Sequence, residues 1–407
     1  MKLENRNVIV YLLSDVLVKG IPFFLIPIYT LYLTPTQFGN ISIFNVIVEV
    51  MIIFVVMGGN SYYRVQFFKI ENNNSLLGAV VSNLVYTIPL ALLLMIVFMF
   101  FDLNPSKHET YWLFIGFVIA ISQSVILLAI ACFQCKGKAL YVGTLNIVSA
   151  IVSGLVTVGL LMSGHEEESR YIAYFIASVI VMFLSIYMYK STEKQWPEIA
   201  KEHSIPAIKF GLGVLPHALS WWARTGMDRL IIAKFLSIHQ VGLYSIAAQL
   251  SLVVIVLSNA VNQAFTPKIM KMLTENRFKK TLLFCFQVIL GYLFICVLIA
   301  LLAPFIFKLF IDNKFIEAQV LLPMMCAVAF FQAVVTLFSN FLYFFKRVKL
   351  LSGITFFSSL LHVFIAFSVI HSYGINGVIW SSIITYIMSA ILIVGFSIQS
   401  IRKGKNA

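Results

Sequence analysis

Residues 8–33 read VIVYLLSDVLVKGIPFFLIPIYTLYL, an apolar run that carries Asp15, Lys19, Pro22 and Pro27. A helix rises 1.5 Å per residue, so about 20 apolar residues cross the ~30 Å hydrocarbon layer of a bilayer. The run is longer than the core of a cleaved secretory signal and has no small-residue cleavage site, so it reads as a retained first span. The whole chain has this character. It has 407 residues, 60% hydrophobic and 11% charged, with a mean hydropathy of +0.95. A soluble protein of this length carries roughly twice that charged fraction. Backbone N–H and C=O groups in lipid must be satisfied internally, which leaves helices or closed barrels. The ~10-residue alternating segments of a barrel are absent.

Working outward, the apolar runs are 8–33, 40–63, 76–101, 111–133, 140–163, 170–189, 208–236, 241–264, 281–311, 316–345, 350–371 and 375–398. The fold class expected is therefore an all-α polytopic membrane protein of about 12 transmembrane helices. Of the 29 Lys and Arg residues, 21 fall in loops on the side of the amino terminus. By the positive-inside rule both termini are cytoplasmic, which requires an even number of spans. The net charge of +13 is thus a topology signal spread over short loops, and it does not form the single basic face of a nucleic-acid binder. Five cysteines lie in or beside apolar runs, and Cys132 and Cys135 have neither a second pair nor a nearby histidine to complete a metal site. No metal and no cofactor are expected.

The chain also repeats itself. Thr34-Pro-Thr-Gln-Phe-Gly-Asn-Ile-Ser-Ile aligns with Ser237-Ile-His-Gln-Val-Gly-Leu-Tyr-Ser-Ile at half the chain length, with identities at Gln37/Gln240, Gly39/Gly242, Ser42/Ser245 and Ile43/Ile246. Two halves of six spans share one orientation and relate by a pseudo-two-fold along the membrane normal. The expected organisation is a six-helix lobe over 1–189, a cytoplasmic interfacial linker over 190–207 and a second six-helix lobe over 208–407.

Six ionisable residues sit well inside spans: Asp15, Lys19, Glu49, Arg224, Asp228 and Arg229. Each Asp, Lys or Arg at a helix centre costs about 2.5–3.5 kcal/mol to insert, so such residues are functional candidates by default. Asp15/Lys19 and Arg224/Asp228 are spaced i,i+4, which places opposite charges on one helix face where they can neutralise each other. Lys19, Arg224 and Arg229, with Arg64 nearer a span end, are candidates for holding a phosphate or diphosphate, because guanidinium groups bind phosphate bidentately. Asp15, Glu49 and Asp228 are candidate counter-ions or sites for a coupling proton or sodium ion. Pro22 and Pro27 in the first span, and Pro216 in the seventh, are candidate bending points for gating. Of the two intramembrane histidines, His217 lies nearer the charged stretch and His362 reads as hydrogen-bonded structure.

The proline-broken first span with Asp15 and Lys19, the Thr34-Pro-x-Gln-Phe-Gly turn, and Val241-Gly-Leu-Tyr-Ser after Asp228-Arg229 resemble polysaccharide flippases of the Wzx type. These belong to the multidrug/oligosaccharidyl-lipid/polysaccharide exporter superfamily. The resemblance implies a V-shaped bundle of two lobes that works by alternating access in the bacterial cytoplasmic (inner) membrane. It implies a substrate of undecaprenyl-pyrophosphate-linked oligosaccharide repeat units for O-antigen or capsule, and partnership with other polysaccharide-assembly membrane proteins. Lys19, Arg224, Asp228 and Arg229 match the cavity-lining charged positions of such proteins. Two alternatives stand beside it, the first in the same superfamily and the second in another class. A multidrug or cation antiporter would use Asp15, Glu49 and Asp228 as cation sites. An integral-membrane polysaccharide polymerase would need a sizeable external loop, which the short breaks here do not provide.

Overall fold

The computed structural model describes residues 20, 23–70, 72–100, 111–193, 196–197 and 201–404. Asp15, Lys19 and Pro22 lie outside the described residues. All regular structure among the described residues is helical: α1 (Ile26–Tyr32), α2 (Pro35–Val56), α3 (Gly59–Gln66), α4 (Asn73–Phe100), α5 (Tyr111–Cys135), α6 (Ala139–Met162), α7 (Glu168–Glu193), α8 (Lys201–Phe235), α9 (Ile238–Thr274), α10 (Phe278–Phe310), a 3₁₀ turn (Asn313–Val320), α11 (Leu321–Phe344) and α12 (Val348–Gly404). Nine of these stretches among the described residues are long and apolar enough to cross a membrane. α12 is broken at Gly374, whose φ of 56° and ψ of −143° end one helix and start the next, as the gap between the last two apolar runs anticipates.

The packing is that of helices in lipid. Large apolar side chains such as Phe24, Phe305, Phe364 and Leu301 face outward, while Ser122, Ser124, Ser358, Ser381, Thr385 and Ser389 are buried. Lipid tails offer no contrast with leucine, so small and hydroxyl residues collect where helices touch. The chain is an all-α polytopic membrane protein.

Two compact units emerge. The first comprises residues 1–33 and 40–222, the second residues 34–39 and 223–407, so the change-over falls inside α8 after Trp222. In the first unit, Tyr171 is fully buried between Phe44 and Trp112, with ring centroids 4.5 and 4.7 Å away. α2 ends at Met57 and Gly58, both at positive φ, and Gly211 of α8 packs so closely there that a Cβ would overlap the Met57 carbonyl. The segment 190–207 is only partly a connector: α8 already begins at Lys201. Ser204 accepts a hydrogen bond at its carbonyl from Asn83 Nδ2 (3.1 Å), and the Trp196 carbonyl accepts one from Asn74 Nδ2 (3.1 Å).

In the second unit the repeated motif meets its copy. Thr34 and Ser237 each accept the backbone N–H three residues on, from Gln37 and Gln240. At the first motif Gln37 Oε1 returns the bond to the Thr34 N–H (2.8 Å), a reciprocal cap. Gly39 then sits against the Ile238 carbonyl and Gly242 against the Pro35 carbonyl, and a Cβ at either would overlap backbone. The remaining core of this unit is a cluster around Phe341, Leu342, Leu337, Cys285 and Ile393.

Candidate functional site

Two polar clusters stand out at membrane depth, one in each unit. That in the second unit is closed. α8 delivers Arg224 and Asp228, both buried, and the half-buried Arg229. The i,i+4 spacing suggests that Arg224 and Asp228 neutralise each other, but no ion pair joins them. Their side chains instead reach different helices. Arg224 donates from Nη1 to Ser358 Oγ (2.9 Å) and from Nη2 to Thr385 Oγ1 (3.2 Å), and its guanidinium carbon lies 3.7 Å from the Tyr386 ring centre. Its Nε–H finds no acceptor among the described residues. Arg229 donates to Ser245 Oγ (3.3 Å) and to the Thr225 carbonyl (2.5 Å).

Asp228 is the hub. Its carboxylate accepts from the Tyr244 hydroxyl (2.5 Å), faces His362 Nε2 at 2.7 Å and lies 3.5 Å from Ser382 Oγ. His362 Nδ1 in turn faces Ser381 Oγ at 3.0 Å, and that hydroxyl is also 2.7 Å from the Val378 carbonyl. A serine has one proton to give. If it goes to Nδ1, that nitrogen accepts and Nε2 carries the ring proton toward Asp228; if it goes to the Val378 carbonyl, Nδ1 can donate to the serine oxygen. The two arrangements share one heavy-atom geometry.

The cluster in the first unit is open. A cavity of about 330 Å³ is lined from three helices. α2 contributes Asn45 and Glu49, α6 contributes Asn146, Ser149 and Ser153, and α7 contributes Arg170 and Tyr174. Each set is spaced three or four residues apart, one face of a helix. Arg170 is held by the Tyr29 hydroxyl (3.0 Å) and Thr157 Oγ1 (3.3 Å), with its guanidinium 5.0 Å from the Tyr29 ring centre.

With this geometry in view, residues 5–273 match the model of a family described as "Polysaccharide biosynthesis protein". The chain belongs to that family. The chain is similar to Lsg locus putative protein 1 of Haemophilus influenzae, 24% identical over 277 residues that make up 67% of each chain. Among solved structures it is similar to the lipid II flippase MurJ in an inward closed conformation, with a TM-score of 0.70 at 15% identity, over 98% of this chain and 89% of that one. It is also similar to an inward-facing multidrug resistance MATE family transporter of the MOP superfamily, with a TM-score of 0.64 at 15% identity, over 97% and 96%. At such identities the likeness is one of fold. That fold is shared with a flippase and with transporters.

The remaining candidates are scattered. Arg64 lies in the last turn of α3, where its Nε and Nη2 donate to Gln134 Oε1 at 3.1 and 2.9 Å, apart from the cavity of the same unit. Pro27 stands in the first turn of α1, after a turn at Leu25, so it starts a helix and does not bend one in mid-course. Pro216 lies within α8, which runs on unbroken, and its carbonyl accepts from Ser220 Oγ (2.6 Å). His217 is exposed, whereas His362, which reads from sequence as mere structure, is the partner of Asp228. Arg170, the first residue of the apolar run 170–189 and not singled out from sequence, stands in the first turn of α7 and lines the cavity with Glu49. The signal for it is Tyr174, four residues on and so on the same helix face. No group of three metal-ligating side chains occurs among the described residues.

Proposed function

We propose that the chain flips a lipid-linked oligosaccharide across the bacterial cytoplasmic membrane by alternating access, as flippases of the Wzx type do for the undecaprenyl-diphosphate-linked repeat units of O-antigen or capsule. The observation that carries this reading is the family match over two thirds of the chain, joined to a fold that a lipid II flippase shares. In this reading the lobes 1–189 and 208–407 move about the segment 190–207, with both termini in the cytoplasm as the loop charges favour. Lys19, Arg64, Arg224 and Arg229 serve the diphosphate. The commitments of Arg224 to Ser358, Thr385 and Tyr386 favour a positioning role for it, and Arg170 joins the set. Asp15, Glu49 and Asp228 couple movement to an ion. The carboxylate–imidazole contact of Asp228 and His362, 2.7 Å long, favours a proton over sodium. Pro22, Pro27 and Pro216 shape the helices that move, and other polysaccharide-assembly membrane proteins receive the product.

Reconstitution tests this. Proteoliposomes carrying a fluorescent undecaprenyl-diphosphate oligosaccharide should lose the label's protection from an external quencher faster than protein-free vesicles, and an imposed proton gradient should change the rate. Equal rates with and without protein would overturn the reading. Uptake or extrusion of an organic cation such as ethidium in the same vesicles, with no lipid movement, would establish the antiporter alternative, for which Glu49 in the cavity speaks.

A further inference from the structure

The hydroxyls of α6 fall into two kinds. Thr144 and Thr157, and Ser163 at the C-cap, each donate to the carbonyl four residues back, at 2.9, 2.6 and 2.8 Å. This is the usual way a hydroxyl is satisfied in an apolar helix. Ser149 and Ser153, which line the cavity of the first unit, do not. Nor do the cavity-lining amides of Asn45 and Asn146 or the Tyr174 hydroxyl bond to any described residue. A polar group left unpaired at membrane depth is unfavourable by roughly 1–3 kcal/mol. Five groups without a partner among the described residues converge on one cavity from three helices, while hydroxyls elsewhere on α6 are satisfied internally. That convergence is what a site awaiting an external hydrogen-bonding partner looks like.

The chemistry of that partner follows from the lining. Amides and hydroxyls both donate and accept, so they suit a ligand that does the same at several positions, as a sugar's hydroxyl and acetamido groups do. The two charged residues of the cavity, Glu49 and Arg170, are opposite in sign. A carboxylated sugar would meet Glu49 as well as Arg170, and a cation would meet the reverse. The volume of about 330 Å³ lies at the lower end of small-ligand sites, room for a sugar or two and not for a whole repeat unit. We infer that this cavity is a subsite for one neutral, hydroxyl-rich sugar residue of the lipid-linked cargo, recognised by Asn45, Asn146, Ser149 and Tyr174. The inference rests on the flippase reading and makes the glycan, besides the diphosphate, a determinant of binding.

The test uses the full chain in nanodiscs and three probes: undecaprenyl diphosphate alone, the same lipid bearing one N-acetylglucosamine, and the same lipid bearing one glucuronic acid. The neutral glycolipid should bind the wild type about tenfold more tightly than the bare lipid, and the acidic one should gain less. Asn146→Leu and the milder Tyr174→Phe should each remove about three- to tenfold of the neutral sugar's advantage, one hydrogen bond apiece, and leave bare-lipid affinity unchanged. If the bare and neutral lipids bind the wild type equally, or if either variant weakens both lipids alike, the sugar subsite is overturned while the flippase reading stands. If the wild type binds none of the three, the flippase reading falls and the subsite with it.

Discussion

Asp228 and Glu49 are both carboxylates set in apolar helices, yet Asp228 is 1% exposed whereas Glu49 opens on a cavity. Around Asp228 the polar groups have internal partners, the Arg224 Nε–H excepted: Tyr244, His362, Ser381 and Ser382 form one chain, and Ser358, Thr385 and Tyr386 enclose Arg224. Around Glu49 the amides and serines lack such partners among the described residues. The same residue types therefore do opposite work. A hydrogen-bonded network in a low-dielectric interior makes a rigid element. An unsatisfied one is a place for something that is not protein.

The contrast is broken most severely at Asp228. Asp228→Ala removes the acceptor that serves Tyr244 and His362 and strands both groups in the interior. Loss of one partner from a buried pair destabilises by about 3–5 kcal/mol. The variant should melt well below the wild type in detergent, by circular dichroism or tryptophan fluorescence; an unchanged melt would mean that the network is not structural at all. Gly242→Ala comes next. Gly242 stands two residues before Tyr244 on α9, and a Cβ there overlaps the Pro35 carbonyl, which belongs to backbone and does not yield as a side chain would. Overpacking of this kind costs about 1–3 kcal/mol. The helix would also shift Tyr244 off Asp228, so the same melting assay should show a smaller loss, and Gly39→Ala, set against the Ile238 carbonyl, should resemble it.

These two positions were not equally legible. Gly242 could be found in the sequence, because its motif recurs at Gly39 with the capping Gln37/Gln240, and a repeat that keeps a glycine in register marks a close approach. The spans were legible for the same kind of reason: hydropathy is local, and even the break at Gly374 falls where the apolar run pauses. The pairing of Asp228 was not. His362 lies 134 residues away on another helix, and nothing in its neighbourhood tells which helix face meets α8. The i,i+4 rule placed Arg224 and Asp228 on one face correctly and then overstated the consequence, since in a packed bundle such side chains find partners on neighbouring helices more readily than each other. Arg170 is the first residue of the run 170–189, where hydropathy does not tell a helix-end charge from one that lines a cavity.

The smallest effect is the most discriminating. Asn146→Leu takes an amide that bonds to no described residue and replaces it with an apolar side chain of similar size. In a network like that of Asp228 this change would strand a partner and destabilise. In an open cavity it strands nothing and removes a polar group from a largely apolar helix, so the melting temperature should hold or rise, within about 0.5 kcal/mol of the wild type. Stability kept while glycolipid binding falls is a pattern that only a ligand-facing residue produces. A loss of stability comparable to that of Gly242→Ala would mean instead that the cavity is filled by the protein's own structure, and the distinction between the closed cluster and the open one would collapse.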